Sequence, residues 1–364
     1  MLITMNRESK FVNKLLAHLT ACVAFMLVSL HSVAASKDTT NAAILLYHHV
    51  SNDTPPSTSV SPDTFRSHMQ YIAKNHTVVP LSDVVKAISE NLPLPDNAVA
   101  ITFDDGYANI LHNAHPILSE YGFSYTIFIN PNEIGVGPKQ LSWEQVSTMH
   151  EDGVLFANHT LDHLHMLNNE FTDDEWLEKV WRNVEAAEQK IEEQLGVSLK
   201  YLAYPFGEFN LALASKLEEH GYVGFGQHSG AVGPTSNLFA LPRFPAAGPY
   251  AKLDTLKTKL NSLAMPVTHT SMPEPRLKDK MLNAPITLTV SKGDVRLSQV
   301  NCFYAGSSIN TEVNNQKISF SIEGELPVGR SRVNCTAPSE SMAGRFYWYS
   351  VPFFLANSEG KYPD

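Results

Sequence analysis

Asp104 and Asp105 stand side by side at the end of the apolar run Val99–Phe103, just ahead of Gly106. Adjacent carboxylates repel one another, and only a cation or a shared proton resolves the conflict. Aspartate is also a favoured helix N-cap, so the pair alone fits a cap equally well. His159 and His163 lie four residues apart in His159-Thr160-Leu161-Asp162-His163, again just past an apolar run, Val154–Ala157. Histidines at that spacing share one face of a helical turn and can hold one metal. Two imidazoles and one carboxylate form an open ligand set with room for water, and the second carboxylate is then free to act as a base. Together the two motifs point to metal-assisted hydrolysis.

Such residues need a scaffold that gathers strand ends. From residue 42 to about 265, short apolar runs alternate with amphipathic stretches. Strands are predicted at Ala43–Tyr47, Val99–Phe103, Tyr125–Asn130, Val154–Ala157, Lys200–Tyr204 and Tyr222–Phe225. Helices are predicted at Phe65–Lys74, Ser82–Asn91, Ala108–Tyr121, Trp143–Glu151, Asp173–Leu195 and Asn210–His220. The longest has Thr172 as its expected cap, Glu175 completing a capping box and Gly196 ending it. This alternation favours an α/β fold with a parallel sheet, open or closed into a barrel, whose ligands bind at the carboxyl ends of the strands.

After residue 285 the texture is β-rich, with runs at Ile286–Val290, Gln299–Tyr304, Lys317–Ile322, Ser331–Cys335 and Arg345–Phe354. These predict a small antiparallel β-sandwich. Met265-Pro266 and Met272-Pro273-Glu274-Pro275 mark the connection. The expected layout is a leader over 1–35, an α/β domain over 36–270, a linker over 271–284 and a β-rich domain over 285–364. Thirteen of the 15 histidines fall between His48 and His269, and none in the tail. Imidazole chemistry therefore belongs to the first domain. The tail aromatics Tyr304, Phe346, Tyr347, Trp348, Tyr349, Phe353 and Phe354 suit a sandwich core, the commoner use, or a sugar-stacking face.

Arg7, Lys10 and Lys14 precede an apolar run from Leu15 to Leu30, and small residues follow to Ala35. That is the pattern of a secretory leader, and the run is short for a stable membrane span. Export to a periplasm or out of the cell is expected, with no membrane span after cleavage. Removing the leader takes away Cys22 and leaves Cys302 and Cys335, an even pair suited to a disulfide in an oxidising compartment. The 364-residue chain carries a net charge of −10, which disfavours nucleic acid and anionic membrane as partners. The acidity suits a neutral glycan, or one that becomes cationic, better than a polyanion.

Thr102-Phe103-Asp104-Asp105-Gly106, then His159-Thr160-Leu161-Asp162-His163, then Tyr204-Pro205-Phe206-Gly207 follow one another along the chain. In these three motifs, over roughly residues 42–265, the sequence resembles the polysaccharide deacetylase family (NodB homology, carbohydrate esterase family 4). The resemblance implies a distorted (β/α) barrel of about seven strands. It also implies hydrolysis of acetyl groups from N-acetylglucosamine-type sugars of a polysaccharide or oligosaccharide, with a divalent metal, usually zinc. By position, Asp105, His159 and His163 are the implied metal ligands and Asp104 the general base. Phe206 is the implied backbone N–H donor to the oxyanion, with Tyr204, Pro205 and Gly207 beside it against substrate.

The sequence departs from the family where many members place an arginine in the third motif; Ala203 stands there instead. Arg243, in Leu241-Pro242-Arg243-Phe244-Pro245, either replaces it and orients Asp104 or is a surface arginine. Leu45-Leu46-Tyr47-His48-His49-Val50 is similar to the Tyr-His opening of the subgroup that includes biofilm poly-N-acetylglucosamine deacetylases. That likeness makes His48 the expected general acid, with His49 second because it points the other way on a strand. Asp162 is expected to cap a turn, or else to hydrogen-bond a ligand imidazole. His112, His115 and His165 are expected at the surface. A second reading keeps the barrel as a non-catalytic carbohydrate-binding protein. The polymer, the metal and the oligomeric state are not set by the sequence, since the same ligands also accept cobalt, nickel or manganese.

Overall fold

The computed structural model describes residues 40–363, Phe171 excepted, and the expected leader over 1–35 lies outside the described residues. Six parallel strands form the scaffold: β1 (Ala42–Tyr47), β2 (Ala98–Asp104), β3 (Thr126–Ile129), β4 (Leu155–Asn158), β5 (Tyr201–Ala203) and β6 (Val223–Phe225). They pair in sequence order, and a short antiparallel strand, β7 (Ala231–Val232), closes the β1 edge. The result is a curled seven-strand half-barrel in a mixed α/β fold.

The strands read as unbroken apolar runs because both faces are covered, as parallel sheets require. Alternation decides which residue goes where. Leu45, Tyr47, Ile101, Phe103 and Phe156 lie on the face packed by the helix Pro62–Asn75 through Phe65, Met69 and Ile72. Ile44, Ala100, Phe128, Ala157 and Ala203 lie on the other face, which is closed by the helix Leu81–Glu90 through Leu81, Val84 and Ile88. Thr102 and Asp104 follow Ala100 at spacing two, so Asp104 points into the half-barrel and not toward the outer helices.

Two helices differ from expectation. The stretch predicted over Ala108–Tyr121 is a wide π-turn, Ile110–Ala114, running into the α-helix His115–Glu120. Pro116 has no N–H to give to the preceding turn, which accounts for the change in ladder there. The long helix starts at Trp176, three residues later than predicted, without the Thr172 capping box. Asp173 Oδ1 accepts from the Glu175 N–H at 3.0 Å, a local turn that forestalls the cap.

The tail is two packed sheets. One runs Val267–Thr270, Ile286–Val290, Lys317–Phe320, Thr311–Asn314, all antiparallel. The other is built on the long pair Gly329–Pro338 and Phe346–Leu355, with Asn301–Tyr304 and Ser307–Ile309 beyond it. It is mixed rather than purely antiparallel, because Ser262–Ala264 and Arg276–Leu277 pair parallel with Phe346–Leu355. The chain thus enters the tail sheets at residue 262, ahead of the expected linker, and the linker itself supplies a strand. Barrel and tail cluster as one compact unit. Trp348 packs edge-on against Phe244, Phe354 against Phe209, and Ser350 donates to the Ser229 carbonyl. Some of the tail aromatics therefore anchor the tail on the barrel. Among the described residues no helix is long and apolar enough to cross a membrane.

Cys302 and Cys335 sit directly opposite each other on adjacent strands and are bonded. Closing a 33-residue separation contributes about 3–4 kcal/mol on the chain-entropy model. Thermal melts with and without reductant should show a loss of that size, reproduced by the double change Cys302→Ala, Cys335→Ala. Coincident melts would show that the bond adds nothing to stability.

Candidate active site and metal centre

Every motif leaves the sheet at the carboxyl end of a parallel strand. Asp104 ends β2, His159 follows β4, Tyr204 follows β5 and His48 follows β1. Asp104 is fully buried, and so is Arg243, whose guanidinium meets it at two points. Nη1 donates to Oδ1 at 2.7 Å and Nη2 to Oδ2 at 2.8 Å. Arg243 is held in turn by Nε to the Gly226 carbonyl, by Nη1 to Thr102 Oγ1 and by the Phe128 ring face. Burial pushes the Asp104 carboxyl up, but Arg243 and then His159 outweigh burial, leaving the carboxyl below its usual range.

Asp105 turns the other way. Its backbone has φ 74° and Gly106 follows at φ 69°. This left-handed step lifts the Asp105 side chain out of the half-barrel toward the histidines. A Cβ on Gly106 would lie 3.0 Å from Ile129 and Ile134 side chains, so the turn has no room for another residue. Asp105 Oδ1 lies 3.2 Å from His159 Nε2 and 3.3 Å from His163 Nε2. The ligand atoms of all three lie within 4.8 Å of one another.

The tautomer of His159 tests whether a metal fits. His159 Nδ1 lies 2.7 Å from the Ala203 carbonyl and can only donate to it. Nε2 then turns a lone pair toward Asp105 Oδ1, and both atoms are buried with no hydrogen-bond partner. Two acceptors face each other only when a proton or a cation stands between them. Burial opposes a charge on His159, but Asp104 and Asp105 outweigh it and raise its pKa. Burial and His159 push His163 down to about 4, so that imidazole is neutral and fit to ligate. One divalent cation meets the demand of all three residues.

Thr160, His163 and Phe206 also have positive φ, at 65°, 51° and 58°. Such conformations cost about 1–3 kcal/mol each and persist only where the surroundings enforce them. Asn130 enforces the first loop by donating to the His159 and Thr160 carbonyls. Asp162 anchors it as well, accepting from Asn132 and Asn183 rather than making the expected turn cap or a bond to a ligand imidazole. The left-handed turn at Phe206 leaves its N–H without a partner among the described residues, while those of Gly207 and Glu208 bond back to Tyr204 and Pro205. Gly207 has φ 74°, and a Cβ there would meet Gln227 at 2.8 Å.

These groups open onto a cleft of about 640 Å³ lined by His48, Asp105, Tyr107, His163, Phe206 and Gly207, among others. His48 is half-buried on its wall. His49 is buried, stacked on Tyr107 at 3.7 Å and bonded to Asn109. Tyr204 and Pro205, expected at the substrate, are buried instead. The Tyr204 hydroxyl donates to the Phe239 carbonyl, so its part in the motif is to fix the turn. His165 is not a free surface residue: it stacks on Phe206 at 3.7 Å, nearly parallel, and pairs with Glu208 at 3.1 Å. The sequence reading missed Tyr107, Glu208 and His165 as neighbours of the site. Only their closeness to the motifs in the chain could have flagged them.

Replacing Arg243 by Gln leaves a buried carboxylate without its cation. Chemical denaturation at neutral pH should show a loss of about 3–5 kcal/mol. Because the Asp104 carboxyl is held low in the folded state, its stabilising share is complete above the unfolded carboxylate range. It is lost as pH falls through the folded value. The variant should therefore lose stability at neutral pH and show a flatter acid limb. An unchanged acid limb would mean that the pair does not control Asp104.

The family model described as polysaccharide deacetylase matches residues 91–225. The chain is 29% identical over 203 residues to YxkH of Bacillus subtilis (strain 168), a protein that bears a polysaccharide deacetylase name, covering 55% of this chain and 69% of that one. The Streptococcus pyogenes deacetylase PplD, solved in complex with acetate, superposes with a TM-score of 0.54 at 22% identity, over 61% of this chain and 99% of that one. A de-N-acetylase from Aggregatibacter actinomycetemcomitans superposes with a TM-score of 0.53 at 18% identity, over 60% of this chain and 98% of that one. At those identities the structural likeness speaks to the fold alone, and it joins the family match and the curated relative. The chain carries, over residues 91–225, a polysaccharide deacetylase domain, the domain of hydrolases that act on amide carbon–nitrogen bonds.

Proposed function

We propose that the protein is a metal-dependent N-deacetylase of an extracytoplasmic glycan containing N-acetylglucosamine. The observation that carries this is the triad of Asp105, His159 and His163 beside an Asp104 that is separately paired with Arg243. The two neighbouring carboxylates have different partners and so can have different tasks. A divalent cation held by the triad, zinc in the simplest case, supplies Lewis-acid polarisation of the acetyl carbonyl and brings the pKa of a water to about 7.

The chain's own residues then divide the work. Asp104 takes the proton of the attacking water, and Arg243 keeps its carboxylate ionised and aimed. The Phe206 N–H donates to the developing oxyanion, a contact worth about 3 kcal/mol where such donors have been removed. His48, which lines the same cleft, gives a proton to the departing amine so that the sugar leaves neutral. His49 is engaged with Asn109 and Tyr107 and is not the acid. The leader-like first 35 residues and the Cys302–Cys335 bond support export to an oxidising compartment.

Acetate release from acetylated glucosamine oligomers should fall at least about a hundredfold in chelator and return with zinc. Asp105→Ala should lose both metal and activity. Asp104→Asn should keep the metal and lose about 10²–10⁴-fold in turnover. Acetate release that survives both chelation and Asp105→Ala would sink the mechanism, and binding without release from any acetylated glycan would favour a carbohydrate-binding protein. His48→Ala should lower turnover with metal content intact, whereas parallel loss of metal would make His48 a ligand.

A further inference from the structure

The cleft has a second wall that does not come from the barrel. On the tail strand Gly329–Pro338, Val333, Cys335 and Ala337 point into the sandwich core. Strand alternation turns Arg330 and Arg332 to the opposite face, and both line the cleft with Asp105 and His163. Pro352 and Phe354, directly across the strand pair, line it too.

The two arginines are not equivalent. Arg330 Nη1 donates to Glu208 Oε1 at 2.9 Å, and its guanidinium lies 5.2 Å over the Phe206 ring. Its charge is matched by a buried carboxylate, and it braces the third-motif loop from the tail side. Arg332 has no carboxylate within ion-pair distance among the described residues. Its one hydrogen bond is from Nη2 to the Tyr250 hydroxyl at 3.4 Å. Lys259 Nζ sits over the ring of the same tyrosine at 4.5 Å and donates to the Pro245 carbonyl, and burial, then Arg332, push its pKa down to about 7, so it is not a second full charge. Among the described residues Asp105 is the only carboxylate lining the cleft, and a cation at the triad would neutralise it. The chain is acidic overall, yet this wall carries an unmatched guanidinium. Such a fork fits a carboxylate at two points and is poorly matched to a neutral sugar hydroxyl.

We propose that the β-rich tail completes the substrate cleft and that Arg332 binds a carboxylate carried by the acetylated glycan. The substrate class is then an acidic N-acetylated glycan and not the neutral polymer that the overall charge suggested. This rests on the deacetylase reading for the chemistry, but not for the binding. Two kinds of sugar acid would serve: a uronic acid next to the acetylated sugar, or a lactyl ether acid on the glycan itself.

The test uses the full chain and three probes: a neutral acetylated glucosamine oligomer, an oligomer alternating N-acetylglucosamine with glucuronate, and a muramate-containing glycan strand. Equilibrium binding is measured with zinc in an Asp104→Asn background, where turnover is lost and the cation stays beside Asp105, and kcat/KM is measured with zinc in the native background. At least one acidic probe should bind about tenfold more tightly than the neutral one, and Arg332→Gln should remove that margin. Arg332→Lys, which keeps charge without the fork, should keep part of it. Raising salt should narrow the margin in the wild type and not in Arg332→Gln. Whichever acidic probe keeps the margin identifies the source of the carboxylate. Equal binding of all three probes by the wild type, or a margin that Arg332→Gln leaves intact, overturns the proposal. Acidic preference in binding with no acetate released from any probe would instead overturn the deacetylase reading and leave this one standing.

Discussion

Two adjacent carboxylates at the end of a buried strand need two separate sources of positive charge. The site is arranged around that requirement. Asp104 continues the strand alternation, points into the half-barrel and takes the guanidinium of Arg243 at two points. Asp105 cannot share that partner. It turns out through a left-handed step and meets two imidazoles, of which His159 faces it with an accepting nitrogen. If Arg243 were absent, both aspartates would compete for one cation. On the mechanism we propose, the separation of ligand from base follows from this ion pair.

The strained backbone has the same origin. Asp105, Thr160, His163 and Phe206 all carry positive φ although none is glycine. Together these turns bring Asp105, His163 and Phe206 to one cleft from three strand ends. Regular strand or helix geometry would aim them apart. The cost is met by hydrogen-bonded neighbours: Asn130 on two carbonyls, Asp162 between two asparagines, and Tyr204 locked to Phe239. Substitutions in these supports should be felt at the site although none of them touches it.

The barrel and the ligand triad were legible because their signals are local. Apolar runs of four to seven residues mark parallel strands, and a four-residue histidine spacing survives whatever the chain does elsewhere. What was not legible depends on distant contacts. Nothing near Tyr204 in the chain says that its hydroxyl will be consumed 35 residues away, so a polar motif residue read as a substrate contact. The late start of the long helix turned on whether Thr172 or Asp173 won a backbone N–H, a difference below the resolution of a pattern. The tail strands at 262–264 and 276–277 were read as barrel end and linker because they are short, proline-flanked edge strands. Arg332 fell on the strand expected over Ser331–Cys335, and Arg330 just ahead of it. Which face of that strand met the barrel was not legible.

That last point bears on how charge should be read from composition. A net charge describes the far field, where it governs solubility and long-range steering. Recognition happens over a few ångströms, inside a cleft whose walls exclude part of the solvent. Here two carboxylates buried behind the cleft are paired off, Asp104 with Arg243 and Glu208 with Arg330. Among the described residues Arg332 is left as the cleft-lining guanidinium without a carboxylate partner. An acidic protein can in this way present a basic site, and the sign that matters for the glycan is that of the residue left over.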